Sequence, residues 1–106
     1  MAVELDAEVK RFDQDRWLAS RFAPADARAR LMALYGLNLE LARIVAMPGE
    51  GAARMLRLAW WRDAAADACE GRLPGLQPAL AALAAAARET RFDKNVLAEM
   101  INAQAL

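Results

Sequence analysis

The stretch from Leu31 to Met47, LMALYGLNLELARIVAM, carries only Asn38, Glu40 and Arg43 as polar side chains. A surface helix keeps one polar face for water, so a helix this apolar around most of its circumference has to be wrapped by other helices. Leu34, Leu37, Leu41 and Ile44 form one stripe at spacings of three and four, and Leu31, Tyr35, Asn38, Ala42 and Val45 form a second stripe beside it. Two stripes predict two packing partners for one central helix. Glu40 and Arg43 stand three apart and can meet across one turn. Within an otherwise dry segment they are either a mutually satisfied pair or groups that line a pocket.

The rest of the chain supplies the helices that wrap it. Glu4 to Ser20 reads as one continuous helix with Val9, Phe12 and Trp17 on a partly apolar face, and with Asp13 placed to pair with Arg16. Phe22 to Asp26 is a turn; Pro24 suits the first helical position of the next segment and Asp26 its positive end, so the central helix runs from about Pro24 to Ala46. Gly36 costs about 1 kcal/mol against Ala in a helix interior, so its presence predicts the close approach of a neighbour. Met47-Pro-Gly-Glu-Gly51 is the clearest break.

From Ala52 to Glu70 the pattern is helical again, with Leu58, Trp61, Ala65 and Ala68 on one face. Two adjacent tryptophans cannot share a face, which puts Trp61 in the core and Trp60 at an edge. Arg54, Arg57 and Arg62 form a local positive cluster. It reads either as solvated charge, with Arg57 stacked on Trp61 one turn away, or as an anion site. Gly71 suits a left-handed cap and Leu73-Pro74-Gly75 a loop. Leu76 to Arg88 is an Ala-rich helix with Leu76, Leu80 and Leu83 along one seam, and Asp93 caps a last helix from Val96 to Leu106. The apolar Val96, Leu97, Met100 and Ile101 of that helix are expected to stay uncovered and to promote self-association. The fold class expected is all-α, an antiparallel bundle of four to five helices in a single domain spanning residues 1–106.

Fourteen basic and fourteen acidic residues cancel, so no global field draws nucleic acid. The acids at positions 4, 6 and 8 and the lack of an apolar run argue against a secretory signal or an Arg-rich transit peptide at the N-terminus, and a cytoplasmic location is expected. With no histidine, one serine (Ser20), one threonine (Thr90) and one cysteine (Cys69), neither a Ser-His-Asp nor a Cys-His nucleophile can be assembled, nor a Cys/His zinc site. Cys69 cannot form an internal disulfide and is read as a small core residue. Chemistry built on carboxylates and Mg²⁺ stays open.

The segments Ala33-Leu-Tyr-Gly-Leu-Asn-Leu-Glu40 and Arg57-Leu-Ala-Trp-Trp-Arg-Asp63, with Asp15-Arg-Trp-Leu-Ala19 and Phe22-Ala-Pro24 upstream, resemble the squalene/phytoene synthase family. The resemblance implies an isoprenoid-synthase fold. Family members are usually more than twice this long, so these residues would form the N-terminal portion of a longer domain. In the true enzymes, two prenyl diphosphates are joined head to head with Mg²⁺ held by an aspartate-rich motif that follows the A-L-Y segment. Hard Mg²⁺ takes oxygen ligands and neutralises the departing phosphate, which is why paired acids serve there. The matching positions here are Ala42, Arg43 and Ala46, none of which ligates magnesium. The Asn38 to Arg43 variant looks more like the non-condensing branch, which includes relatives acting in respiratory complex I assembly.

Two functions of different class follow from the resemblance. One is a squalene/phytoene-synthase-like protein without the first aspartate-rich motif and without a cofactor. It would serve in binding or assembly, with a protein partner or a prenyl lipid, peripheral to the inner membrane. The other is a prenyl-diphosphate transferase, using Mg²⁺, whose active site is completed by residues absent from this chain. No catalytic or metal-ligating residue is assigned. The expected site is a polar pocket in which Glu40 and Arg43 meet Arg57 and Arg62 across the Met47–Gly51 turn, with Tyr35, Asn38 and Trp61 beside them.

Overall fold

The computed structural model describes residues 2–49, 51–72, 77–89 and 94–105. Six helices follow one another: α1 (Ala2–Phe12), α2 (Gln14–Ser20), α3 (Ala25–Ala46), α4 (Gly51–Cys69), α5 (Pro78–Glu89) and α6 (Lys94–Asn102), the last closed by a 3-10 turn at Ala103–Ala105. No strand occurs among the described residues. The all-α expectation holds, and the helix count rises to six because the first expected helix is two. Asp13 adopts φ −145° and ψ 63° between α1 and α2, and its carboxylate is taken by Arg16 at 2.7 Å instead of capping a backbone N–H. The chain bends there, and α2 folds back on α1.

The ends of the other helices have local causes. Pro24 stands one residue before α3 with an extended ψ of 151°, so it precedes the helix instead of opening it. Gly49, at φ +133°, turns the chain between α3 and α4. At the end of α4, Gly71 takes φ +85°, its N–H donates to the Ala68 carbonyl at 3.0 Å, and the Arg72 N–H donates to the Asp67 carbonyl at 2.8 Å. That pair of bonds is the Schellman arrangement, and it needs the left-handed residue that glycine supplies. Pro78 opens α5, and the Gln77 side chain caps it by accepting from the Leu80 N–H at 2.9 Å. The expected loop at Leu73-Pro74-Gly75, the Leu76 end of the α5 seam, and the Asp93 cap lie outside the described residues.

The core is built around α3. Leu37, Leu41 and Ile44 are buried and Leu34 packs against them, as the first stripe predicted. The second stripe is different. Met32 and Leu39 are buried in a smaller cluster with Val9, against which Tyr35 and Trp17 pack, whereas Ala42 and Val45 face outward. Gly36 has the close neighbour it was expected to have: a Cβ placed there would meet Leu5 Cδ1 at 2.6 Å.

The most extensive partner of α3 is α5, whose Leu80, Leu83, Ala79, Ala84 and Ala86 are buried; α4 packs chiefly on α6 and α5. Trp61 is buried and Trp60 is 49 % exposed, the two rings meeting edge to face at 5.4 Å. The last helix corrects its expectation. Leu97 and Ile101 are buried and Met100 packs on the core, so only Val96, at 57 % exposure, is left uncovered. The large apolar side chains exposed most are Phe22 at 90 % and Leu56 at 73 %. Among the described residues no helix is long and apolar enough to cross a membrane.

Candidate functional site

The polar groups of α3 form a local charged centre. Arg43 Nη1 donates to Glu40 Oε1 at 2.7 Å, its Nη2 lies 3.7 Å from Glu8 Oε1 of α1, and its guanidinium stacks 5.3 Å from the centre of the Phe12 ring. Both carboxylates near Arg43 are therefore engaged by it. One turn of α3 carries Ala42, Arg43 and Ala46 to the exposed side of the helix, so a fixed cation with two methyl groups beside it occupies the positions where metal-binding acids were considered. Tyr35 and Asn38 lie half-buried further back along α3, Tyr35 against the Val9, Met32 and Leu39 cluster.

The arginines of α4 go elsewhere. Arg62 Nη1 donates to Asn102 Oδ1 at 3.1 Å, at the end of α6. Arg57 is exposed and lines a small recess of about 30 Å³ with Ile44, Met47 and Arg54. It does not stack on Trp61, whose ring is turned into the core. Of the seven residues expected to share a pocket, the structure joins Glu40 to Arg43 by a direct bond, and leaves Trp61 as packing and Arg62 bonded to α6. The physical reason is helix partnership. A convergence of α4 arginines on Glu40 requires α3 and α4 to be close partners along their length, and the small residues of α5 let it take that place instead.

A second polar centre lies on another side of α1, and little in the sequence points to it. Asp6 accepts from Trp17 Nε1 at 3.2 Å and from Arg21 Nη2 at 3.0 Å, bonds that span eleven and fifteen residues. Arg21 and Lys10 each lie 4.7 Å from the Trp17 ring centre. Ser20 is fully buried; its hydroxyl donates to the Trp17 carbonyl at 2.6 Å and accepts from Arg21. Arg28 Nε and Nη2 donate to the carbonyls of Ala23 and Arg21 at 3.2 and 3.3 Å. At the bend, the hydrogen bond that Arg16 donates to Asp13, and the charge of Asp13, raise the pKa of Arg16 above its ordinary value.

Asp6, Arg21 and Arg28 line one side of a cleft of about 340 Å³, whose remaining walls are apolar side chains of α1, α3 and α5. The only clue in the sequence was the pair of arginines flanking Pro24 seven residues apart. Only the fold-back at Asp13 brings Asp6 to them.

Comparison with known proteins adds the family. No curated protein and no solved structure matches the chain. The family model of squalene/phytoene synthase matches it over residues 9–106, from the middle of α1 to the end. That span includes the A-L-Y segment of α3, Glu40 and Arg43, and the two tryptophans of α4, and the helical architecture agrees with it. The chain belongs to the squalene/phytoene synthase family.

Proposed function

We propose that this chain is a non-catalytic member of its family, serving in binding or in assembly of a respiratory complex instead of joining prenyl diphosphates. The observation that carries this reading is the Arg43 centre. A site for Mg²⁺ and diphosphate needs several oxygen ligands converging on a cation. On α3 the charge is the reverse, with a guanidinium in the helix position of a ligand, Glu40 bonded to it and Glu8 paired with it at 3.7 Å. A divalent ion entering here would have to displace Arg43 from both and would then be repelled by it.

The exposed surface beside Arg43 supports a binding role. Ala42, Val45 and Ala46 share one side of α3, and Phe12 of α1 is exposed next to them. Apolar side chains around a small charged centre suit a protein partner or a prenyl lipid, with contacts made by burial and orientation set by charge. Such a partner would place the chain at the periphery of the inner membrane, with no spanning helix among the described residues.

Calorimetry with farnesyl diphosphate, with and without Mg²⁺, tests the reading. The expected result is no metal-dependent binding at micromolar concentration and no C30 or C40 product. Metal-dependent binding at that level, or turnover, would favour the transferase reading and end this one.

A further inference from the structure

The cleft beside Asp6 shares no lining residue with the Arg43 centre, and its chemistry is of a different kind. Its volume of about 340 Å³ falls within the roughly 300–1,000 Å³ of small-molecule sites. The space exists because α5 turns only methyl groups, those of Ala82, Ala85 and Ala86, toward Leu5 and Met32. Larger residues at any of these positions would have filled it. The apolar walls select a hydrocarbon group, and their limited size selects a short one.

The charges select the other end of the ligand. Asp6 neutralises Arg21 at 3.0 Å. Arg28 is held by two backbone carbonyls and has no carboxylate partner among the described residues, so the described side chains of the rim carry one positive charge in excess. Backbone carbonyls fix the guanidinium in place without cancelling its charge. They also use two of its five N–H groups and leave three to donate. A fixed fork of donors beside an apolar cleft matches a carboxylate in geometry, and a single excess charge matches a monoanion better than a dianion.

We propose that this cleft binds a small amphiphilic monocarboxylate, its carboxylate on Arg28 beside Arg21 and its hydrocarbon chain against the alanine face of α5. The site uses no residue of the Arg43 centre, so it stands or falls apart from the function proposed above.

Titration of the full chain with octanoate tests it, read by calorimetry and by the indole N–H resonance of Trp17, which is bonded to Asp6 at the cleft wall. Octanoate is expected to bind one to one and to shift that resonance. Acetate, which lacks the chain, and octanol, which lacks the charge, are each expected to bind at least about tenfold more weakly. Arg28→Gln should weaken octanoate by about tenfold or more, the loss of a charge-assisted hydrogen bond. Ala82→Leu fills the cleft and should abolish binding while the melting temperature holds or rises, which separates occlusion from unfolding. Octanol binding as tightly as octanoate, or undiminished binding by folded Ala82→Leu, would overturn the proposal. Tighter binding of octyl phosphate than of octanoate would overturn the choice of a monocarboxylate.

Discussion

Replacing Gly36 by Ala sets two effects of known size against each other. In a helix interior the change from Gly to Ala is worth about 1 kcal/mol of added stability. Against it stands Leu5, whose Cδ1, Cδ2 and Cγ lie 2.6, 3.1 and 3.2 Å from where the new Cβ would be. Three of the four side-chain carbons of Leu5 crowd the site and Leu5 is buried, so the new methyl fits only if that side chain leaves its place in the core or α1 moves. Overpacking of this kind costs about 1–3 kcal/mol. The net expectation is a loss of up to about 2 kcal/mol, or a melting point lower by about 4–8 °C for each kcal/mol in a domain of this size.

The decisive variant is the same substitution made in a Leu5→Ala background. Leu5→Ala itself should cost about 2–5 kcal/mol, and once the crowding atoms are gone Gly36→Ala should become stabilising by about 1 kcal/mol. Urea unfolding of the four proteins at low temperature, taken as a double-mutant cycle, measures this reversal of sign. A Gly36→Ala single mutant about 1 kcal/mol more stable than its parent would refute the close approach of α1 and α3.

Gly71→Ala should destabilise by about 1–2 kcal/mol in thermal unfolding, since φ +85° is strained for any residue with a Cβ although nothing lies in its way. Leu56→Lys should change stability by no more than about 0.5 kcal/mol, whereas Leu58→Ala, two residues on, should cost about 2–5 kcal/mol; equal effects would mean that α4 is rotated about its axis.

What could be read from the sequence was whatever depends on near neighbours. Pro24, Pro48 and Gly49 bracket α3 closely enough to place its ends to within a residue or so, and the Asp13–Arg16 and Glu40–Arg43 pairs form because each spans one helical turn. Trp61 was separable from Trp60 because only one of them lies in line with Leu58 and Ala65. A stripe shows that a helix will be covered but does not name the helix that covers it. For that reason α5, an alanine-rich tract, takes the place of α4 against α3, and Arg62 bonds Asn102 instead. The same limit applied to α6, whose apolar face looked unfinished in the sequence and is covered by α4. The bend at Asp13 was hidden because hydrogen bonds continue on both sides of it, Asp13 N–H to Val9 and Trp17 N–H to Asp13, so the apolar spacing is hardly disturbed.

The Gly36 contact and the Arg43 centre are parts of one arrangement. After the turns at Asp13 and Pro24 the chain has reversed twice, so α1 and α3 run in the same sense; Leu5 sits on Gly36, and further along both helices Glu8 and Phe12 reach Arg43. The missing side chain at Gly36 lets α1 lie close enough for Glu8 to approach the guanidinium at all. In a metal-holding site, acids on α3 would repel one another until a cation arrived from solution. Here the cation is covalently part of α3, and the acids that balance it come from the same helix at Glu40 and from α1 at Glu8. Within the fold the guanidinium is met by two carboxylates, one more than its charge requires. Both acids are partly exposed, so each pair contributes little to stability in water. The consequence of the arrangement lies in what it presents outward, a surface whose cation is already paired, so that an added anion gains little there and apolar contact decides what binds.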